Sequence, residues 1–361
     1  MVQGPAGLLR RWARAAAICA VLASAGAVPT RAQPAAPPGV EVADVPLVAW
    51  VAARLHALPD TLTTFAVDSA RLRSFRRLAA ALADQDWNRA RGLVDVLDYQ
   101  LVAIREGGRW FVVASDRSMT GRDPTIVINV SAAKDVVVTA PHVPSETGTG
   151  EQAVTLLREL AGRAAVVSGA HRCASRRFTA CDGFTAVCGQ DEAYRDSDPG
   201  HNVGTLFHAA HVILAEAWSG AVVVSLHGMR ADTSGVRTSL IISNGTRAPD
   251  TSRQSAATRL RLALDPVASH PGAVVSCNLP ADAVHQFRPL CGYINVQGRH
   301  VNGSADACRG NLEVGTGRFI HLEQDWSVLG PYALGWLNVH EHPFSKAFIE
   351  ALRSVVPSVG R

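Results

Sequence analysis

The chain contains no C-x-x-C pair, no G-x-S-x-G elbow, no internal repeat and no low-complexity tract beyond one short Pro/Ala stretch. The first absence excludes zinc-finger spacing. The second argues against a serine hydrolase of the nucleophile-elbow kind, which would have to use Ser225 or the His227-Gly228 backbone. Charge is sparse too, at 18 % of residues against 47 % apolar, so a disordered chain is excluded and 361 residues suffice for one large core or two domains. The apolar run AAAICAVLASAGAV is too short to span a membrane securely.

What is present begins with export. Residues 1–33 read as a signal peptide: Arg10, Arg11 and Arg14, the apolar run, then small residues around AGAVPTRAQ. The Arg10-Arg11 pair also fits a twin-arginine route, and a retained N-terminal anchor is the other possibility. Cleavage removes four arginines and no acid, so the formal charge of +4 falls to zero. A neutral mature chain suggests neither a nucleic-acid partner nor stable membrane association. Cys19 lies in the signal, leaving Cys173, Cys181, Cys188, Cys277, Cys291 and Cys308. Six cysteines in an exported chain fit up to three disulfides, either local or joining the two loop regions in which they fall. A secreted or periplasmic location follows.

The chain divides into a signal (1–33), a linker (34–44), a helical and hairpin segment (45–130) and an α/β domain (131–361). Apolar residues recur at helical spacing from 45 to 98, and YQLVAIREGGRWFVVAS alternates on either side of Gly107-Gly108 as a hairpin does. TIVINVS adds a strand. From 135 onward short β-branched runs alternate with helices: DVVVTAP, AAVVSG, AVVVSLH, TSLIISN and GRFIHLE against GEQAVTLLRELAGR, VGTLFHAAHVILAEAW and TSRQSAATRLRLALD. This predicts an α/β fold with a mixed, largely parallel sheet flanked by helices, behind a helical N-terminal preface.

In open α/β sheets the working crevice lies beyond the carboxyl ends of the strands. There DVVVTAP runs into His142 and Glu146, AVVVSL into His227-Gly228-Met229-Arg230, AAVVSG into His171-Arg172, and RFIHL into Glu323 with His321 on the same side. Two histidines and a carboxylate are the donor set of a hydrolytic zinc site. A further carboxylate is then needed to move the proton, and an arginine to orient substrate. Glu323 suits the first task, and Arg172, Arg230 and Arg299 suit the second.

Other groupings weigh less. His201, His208 and His211 fall near one helical face in GHNVGTLFHAAH, which suits either a metal or a polar stripe, the stripe being favoured. YRDSDPGHN offers Asp198 or Asn202 as a helix cap and can also line a cleft. NVQGRHVNG reads as a turn or as a substrate loop presenting Arg299. WSVLGPYALGW and the adjacent HEH read as packing and surface.

The stretches APHVPSETGTGEQA and VVVSLHGMR with TSLIISNGT resemble the zinc amidohydrolases of carboxypeptidase-like fold. They are most similar to the poly-γ-glutamate hydrolase family, then to the N-formylglutamate amidohydrolase and acylglutamate deacylase families. The resemblance spans roughly 135–245 and 315–325. It implies one zinc ion on His142, Glu146 and His227, with Glu323 as general base. Arg230 would assist catalysis, and His171, Arg172 and Arg299 would bind substrate. The His142 to Glu146 interval is one residue shorter than in the poly-γ-glutamate hydrolases, which leaves Glu151 as an alternative ligand. The expected substrate is a small peptide or acyl-amino acid cleaved at an amide next to a carboxylate. The other class is a metal-free exported binding module for cell-wall or polymer ligands.

Overall fold

The computed structural model describes residues 35–57, 67–120, 122–230, 238–268, 273–282, 290–310, 312–334 and 339–360. The expected signal peptide lies outside them. One compact unit runs from Ala36 to Arg361. It is built on a ten-stranded sheet in the order β1-β2-β3-β4-β6-β5-β9-β12-β10-β11, with β7 and β8 forming a separate small hairpin.

The four central strands, β6 (Ala164–Val167), β5 (Val136–Ala140), β9 (Val222–Gly228) and β12 (Phe319–Gln324), are mutually parallel. All are buried along almost their whole length, and β5 and β6 are unbroken apolar or Thr-bearing runs because both faces are covered, whereas β9 and β12 turn polar toward their carboxyl ends. Along β5, Val136, Val138 and Ala140 pack into one core while Val137 packs into the other, as the period-two alternation of a strand requires. The first core lies under α1 (Leu47–Leu55), α4 (Thr149–Leu160), α6 (Ala256–Ala263) and α9 (Pro343–Val355). The second lies under α2 (Ser69–Ala83), α3 (Trp87–Leu97) and α5 (Leu206–Ala217). The result is a mixed three-layer α/β architecture.

Residues 45–130 do not stand apart from this sheet. β2 (Tyr99–Glu106), β3 (Arg109–Asp116) and β4 (Thr125–Asn129) form an antiparallel meander that joins it through β4 and β6. The turn of the first hairpin needs Gly107 and Gly108, at φ +57° and +75°. β1 (Glu41–Ala43), in the expected linker, extends the sheet beside β2. At the other edge β10 (Leu240–Ser243) runs antiparallel to β12, and β11 (Val274–Ser276) is a strand the sequence pattern did not reveal.

NVQGRHVNG, expected as a substrate loop or a turn, holds the short helix α7 (Val296–Val301), capped by the Asn295 side chain accepting from the Gly298 N–H at 2.8 Å. α8 (Trp326–Ala333) carries Pro331 within it. The cap of α5 is Thr205, whose hydroxyl accepts from the His208 N–H at 3.0 Å, and not Asp198 or Asn202. Among the described residues no helix is long and apolar enough to cross a membrane.

All six cysteines outside the first 33 residues pair. Cys173–Cys188 and Cys277–Cys291 close loops of 15 and 14 residues, whereas Cys181–Cys308 joins the two loop regions. Disulfides of this density suit an oxidising compartment.

Candidate metal centre

Where β5 ends, the chain makes a tight turn in which the Ser145 and Glu146 N–H groups both donate to the His142 carbonyl at 2.9 Å. Gly148, at φ +95°, then starts α4; a side chain there would come within 3.1 Å of Ala333. This turn sets His142 and Glu146 side by side, with Nδ1 of His142 2.9 Å from Oε1 of Glu146. From the adjacent end of β9, Nδ1 of His227 comes within 3.2 Å of Nδ1 of His142 and 3.6 Å of Oε2 of Glu146.

The other ends of these groups are held. Nε2 of His142 lies 2.8 Å from Oδ1 of Asp198, Nε2 of His227 lies 3.1 Å from the Ser225 hydroxyl, and Oε2 of Glu146 accepts from the Gly228 N–H at 3.0 Å. Three ligand atoms around a tetrahedral zinc sit about 3.3 Å apart when the bonds are about 2.0–2.1 Å long. The 2.9 Å from Nδ1 of His142 to Oε1 of Glu146, the 3.2 Å between the two Nδ1 atoms and the 3.6 Å from His227 to the other Glu146 oxygen are of that order. The ring nitrogens turned away from the cluster also have the polar partners that metal-bound histidines require. The residues fit a metal ion.

Two further sets with metal-ligand spacing flank this one: His142 with Asp198 and His201, and His227 with His321 and Glu323. Both grow from the same histidines, so all seven residues form one polar cluster. Parallel pairing of β9 and β12 places Glu323 opposite His227 and His321 opposite Ser225, and the two imidazoles stack at 4.4 Å.

Burial dominates the electrostatics. It holds His227 well below the usual imidazole range, helped by repulsion from His321 and His142. It likewise takes His321 to about 3, with His201 and His142 adding to the effect. Burial and the Glu146 carboxylate together raise Glu323 well above the ordinary carboxylate range. For His142 burial and Arg172 oppose protonation, but Glu146 and Asp198 outweigh them. Asp198 stays strongly acidic against its own burial because Arg172, His201 and His142 surround it.

Asp198, expected as a helix cap or in a cleft-lining loop, and His201, expected on a helical face with His208 and His211, both join the cluster. The loop YRDSDPGHN folds over the sheet end, so His201 sits on Tyr194, with ring centroids 3.6 Å apart, and not on α5. Asp198 also accepts from Arg172 at 3.0 Å and from the Gly200 N–H at 3.0 Å. A Cβ on Gly200 would lie 2.8 Å from Nε2 of His142. The only hint in the sequence was the Asp-Pro-Gly-His turn itself. His208 and His211, expected as a polar stripe on an amphipathic helix, lie on the buried face of α5 and belong to none of the ligand sets.

The expected substrate groups part company. Arg172 lines the pocket over the cluster, and Arg230 lines the groove beside Glu146. Arg299 does neither: its buried guanidinium donates to both carboxylate oxygens of Asp182, at 2.6 and 3.1 Å, and to the Cys308 carbonyl at 3.1 Å. It fastens the two Cys-bearing loops together, which overturns the expectation that it faces substrate. His171 accepts from the Cys173 N–H at 3.1 Å and is absent from the pocket lining. Glu151 faces His56, at 3.1 Å, and belongs to none of the ligand sets. Ser225 is fully buried within β9 and does not line the pocket, so its contact with His227 offers no accessible nucleophile.

No protein family model matches the chain, and no curated protein matches it. Among solved structures, the N-formylglutamate amidohydrolase from Ralstonia eutropha JMP134 is similar at 11 % identity and a TM-score of 0.36, over 65 % of this chain and 98 % of that one. A likeness of this degree carries no argument, and the chemistry of the site rests on the side chains described above.

Proposed function

We propose that this chain is an exported, zinc-dependent amidohydrolase that cleaves an amide next to a carboxylate in a small peptide or acyl-amino acid. The observation that carries the reading is the convergence of His142, Glu146 and His227, each backed by a polar partner, beside a cavity that His142, His227 and Glu323 line.

His142, Glu146 and His227 would hold one zinc ion. When bound, the metal supplies a Lewis acid that polarises the scissile carbonyl and lowers the pKa of water. The remaining tasks fall to the chain itself. Glu323, enclosed and close to His227, takes a proton and delivers it to the leaving amine. Burial and the nearby Glu146 carboxylate raise its pKa, which suits a group that must both accept and release that proton. Asp198 holds the His142 ring in position, leaving Nδ1 turned toward Glu146 and His227. Arg230, exposed at the groove, receives the substrate carboxylate.

The test pairs metal content with turnover. N-acyl-glutamate, N-acyl-glycine and γ-glutamyl amides are offered to wild type and to Glu323→Gln after both are loaded with zinc. Wild type is expected to hydrolyse at least one amide, and the variant to keep its metal and lose turnover by at least about 100-fold. Full turnover in Glu323→Gln, or no hydrolysis of any amide by zinc-loaded wild type, would reject the reading.

A further inference from the structure

The candidate ligands stand on the boundary between two cavities of different character. His142 and His227 line an enclosed pocket of about 330 Å³, and Glu146 lines a more open groove of about 490 Å³. The groove is polar at its rim, with Arg230, Asp325 and the half-exposed Trp326. Beside the polar Thr185, Asp191, Tyr194 and Asn295, the pocket is lined by the apolar Phe184, Ala186, Val187, Leu290 and Ile294.

Those walls are built for the purpose. Phe184 belongs to the small hairpin of β7 (Phe184–Thr185) and β8 (Glu192–Ala193), which Cys173–Cys188 and Cys181–Cys308 pin in place. Leu290 adjoins Cys291, held by Cys277. Next to it Gly292, at φ +63°, lets the backbone lie directly against the His321 ring, where a Cβ would fall 2.3 Å from Cδ2. Phe184 and Val187 are 71 % and 60 % exposed, large apolar side chains kept at the mouth of a polar site.

Among the described residues the same pocket sets no unpaired guanidinium or ammonium against an anion. Its lining includes Glu323 and Asp191, and among the described residues its one guanidinium, Arg172, is held by Asp198 at 2.9 and 3.0 Å and by Glu146 at 3.3 Å. A γ-glutamyl or succinyl group placed there would set its carboxylate against the buried Glu323 and the exposed Asp191. A volume of about 330 Å³ stands at the small end for ligand pockets and suits one ring or branched alkyl group.

We infer that the pocket under the disulfide-pinned hairpin is an acyl subsite for an uncharged apolar group of about aromatic size, and that the carboxylate-bearing half of the substrate lies in the Arg230 groove. The inference rests on the amidohydrolase reading and narrows it to N-acyl-amino acids with apolar acyl groups, against γ-glutamyl amides.

The test separates binding from turnover. Sulfonamides resist amide hydrolysis, so N-(phenylsulfonyl)glycine, N-(methylsulfonyl)glycine and N-(2-carboxyethylsulfonyl)glycine are titrated calorimetrically into the zinc-loaded full chain. The phenyl compound is expected to bind at least about tenfold tighter than the methyl compound, and the carboxyethyl compound no tighter than the methyl one. The double variant Phe184→Ser/Val187→Ser alters only exposed side chains and should lose the phenyl preference while still binding the methyl compound. No binding of any ligand, equal binding of phenyl and methyl, tightest binding of the carboxyethyl compound, or a preference that survives the double variant would overturn the inference. Hydrolysis of N-benzoylglycine is measured alongside. A phenyl preference with no hydrolysis of any amide rejects the amidohydrolase reading and leaves the apolar subsite standing, whereas hydrolysis without the preference rejects the subsite alone.

Discussion

Replacing Asp198 by Asn changes almost no volume and removes one negative charge from the centre of the cluster. The carboxylate lies 2.8 Å from Nε2 of His142 and 3.0 Å from Nδ1 of His201, and it accepts from Arg172 and the Gly200 N–H. An amide has one acceptor oxygen for these four partners, and its NH2 must face at least one donor. Arg172, fully enclosed, would keep only Glu146 as an anionic partner, at 3.3 Å. Removing one side of a buried ion pair costs about 3 kcal/mol, and losing the carboxylate behind a metal-bound histidine lowers metal affinity about 10- to 100-fold. The assay is competition for zinc against a chelator of known affinity, run on Asp198→Asn and wild type under conditions where circular dichroism shows both folded. Zinc affinity within about twofold of wild type would refute the positioning role of Asp198, even if the variant were less stable.

The buried His208 should make the fold acid-sensitive. Burial, with His300 and Arg76 adding to it, takes its pKa to about 3, so between pH 6.5 and 3 the unfolded chain binds a proton that the folded chain refuses. Stability is therefore lost as pH falls through 6.5, by about 2 kcal/mol from this group at pH 5; denaturant titrations at pH 7 and 5 should show a smaller difference in His208→Gln, and an unchanged difference would contradict the assignment. Cys181–Cys308 closes the longest loop, 127 residues, so Cys181→Ser/Cys308→Ser should lower stability by roughly 3–5 kcal/mol by chemical denaturation; a loss under about 1 kcal/mol would show that the Arg299–Asp182 pair alone holds the two loops. Gly292→Ala should cost about 1–3 kcal/mol in the same measurement, because the new methyl group collides with His321 and φ is +63°; a neutral result would mean that the loop yields freely.

The central strands were legible because burial on both faces writes itself as unbroken β-branched runs, as in VVVTA and VVVSLH. That His142, Glu146, His227 and Glu323 come together was legible for a related reason: in a parallel sheet polar side chains at strand ends gather at one edge. Asp198 was not, because it reaches His142 from 56 residues away along a loop, and no periodicity encodes the path of a loop. Arg299 misled for the converse reason. Its Asn/Gly surroundings look like surface, but its partner Asp182 lies 117 residues away and makes it a buried tie. TSLIISN was legible as the strand β10, but its antiparallel direction and the short β11 depend on pairing partners, which single runs of four and three residues do not specify.

The most direct test of the account is the metal content of the purified mature chain by plasma mass spectrometry, for wild type beside His142→Ala and His227→Ala. The account predicts about one zinc per wild-type chain and its loss in both variants while the fold persists. No metal in wild type after incubation with zinc, or metal retained in both variants, would contradict it and favour a metal-free exported binding domain.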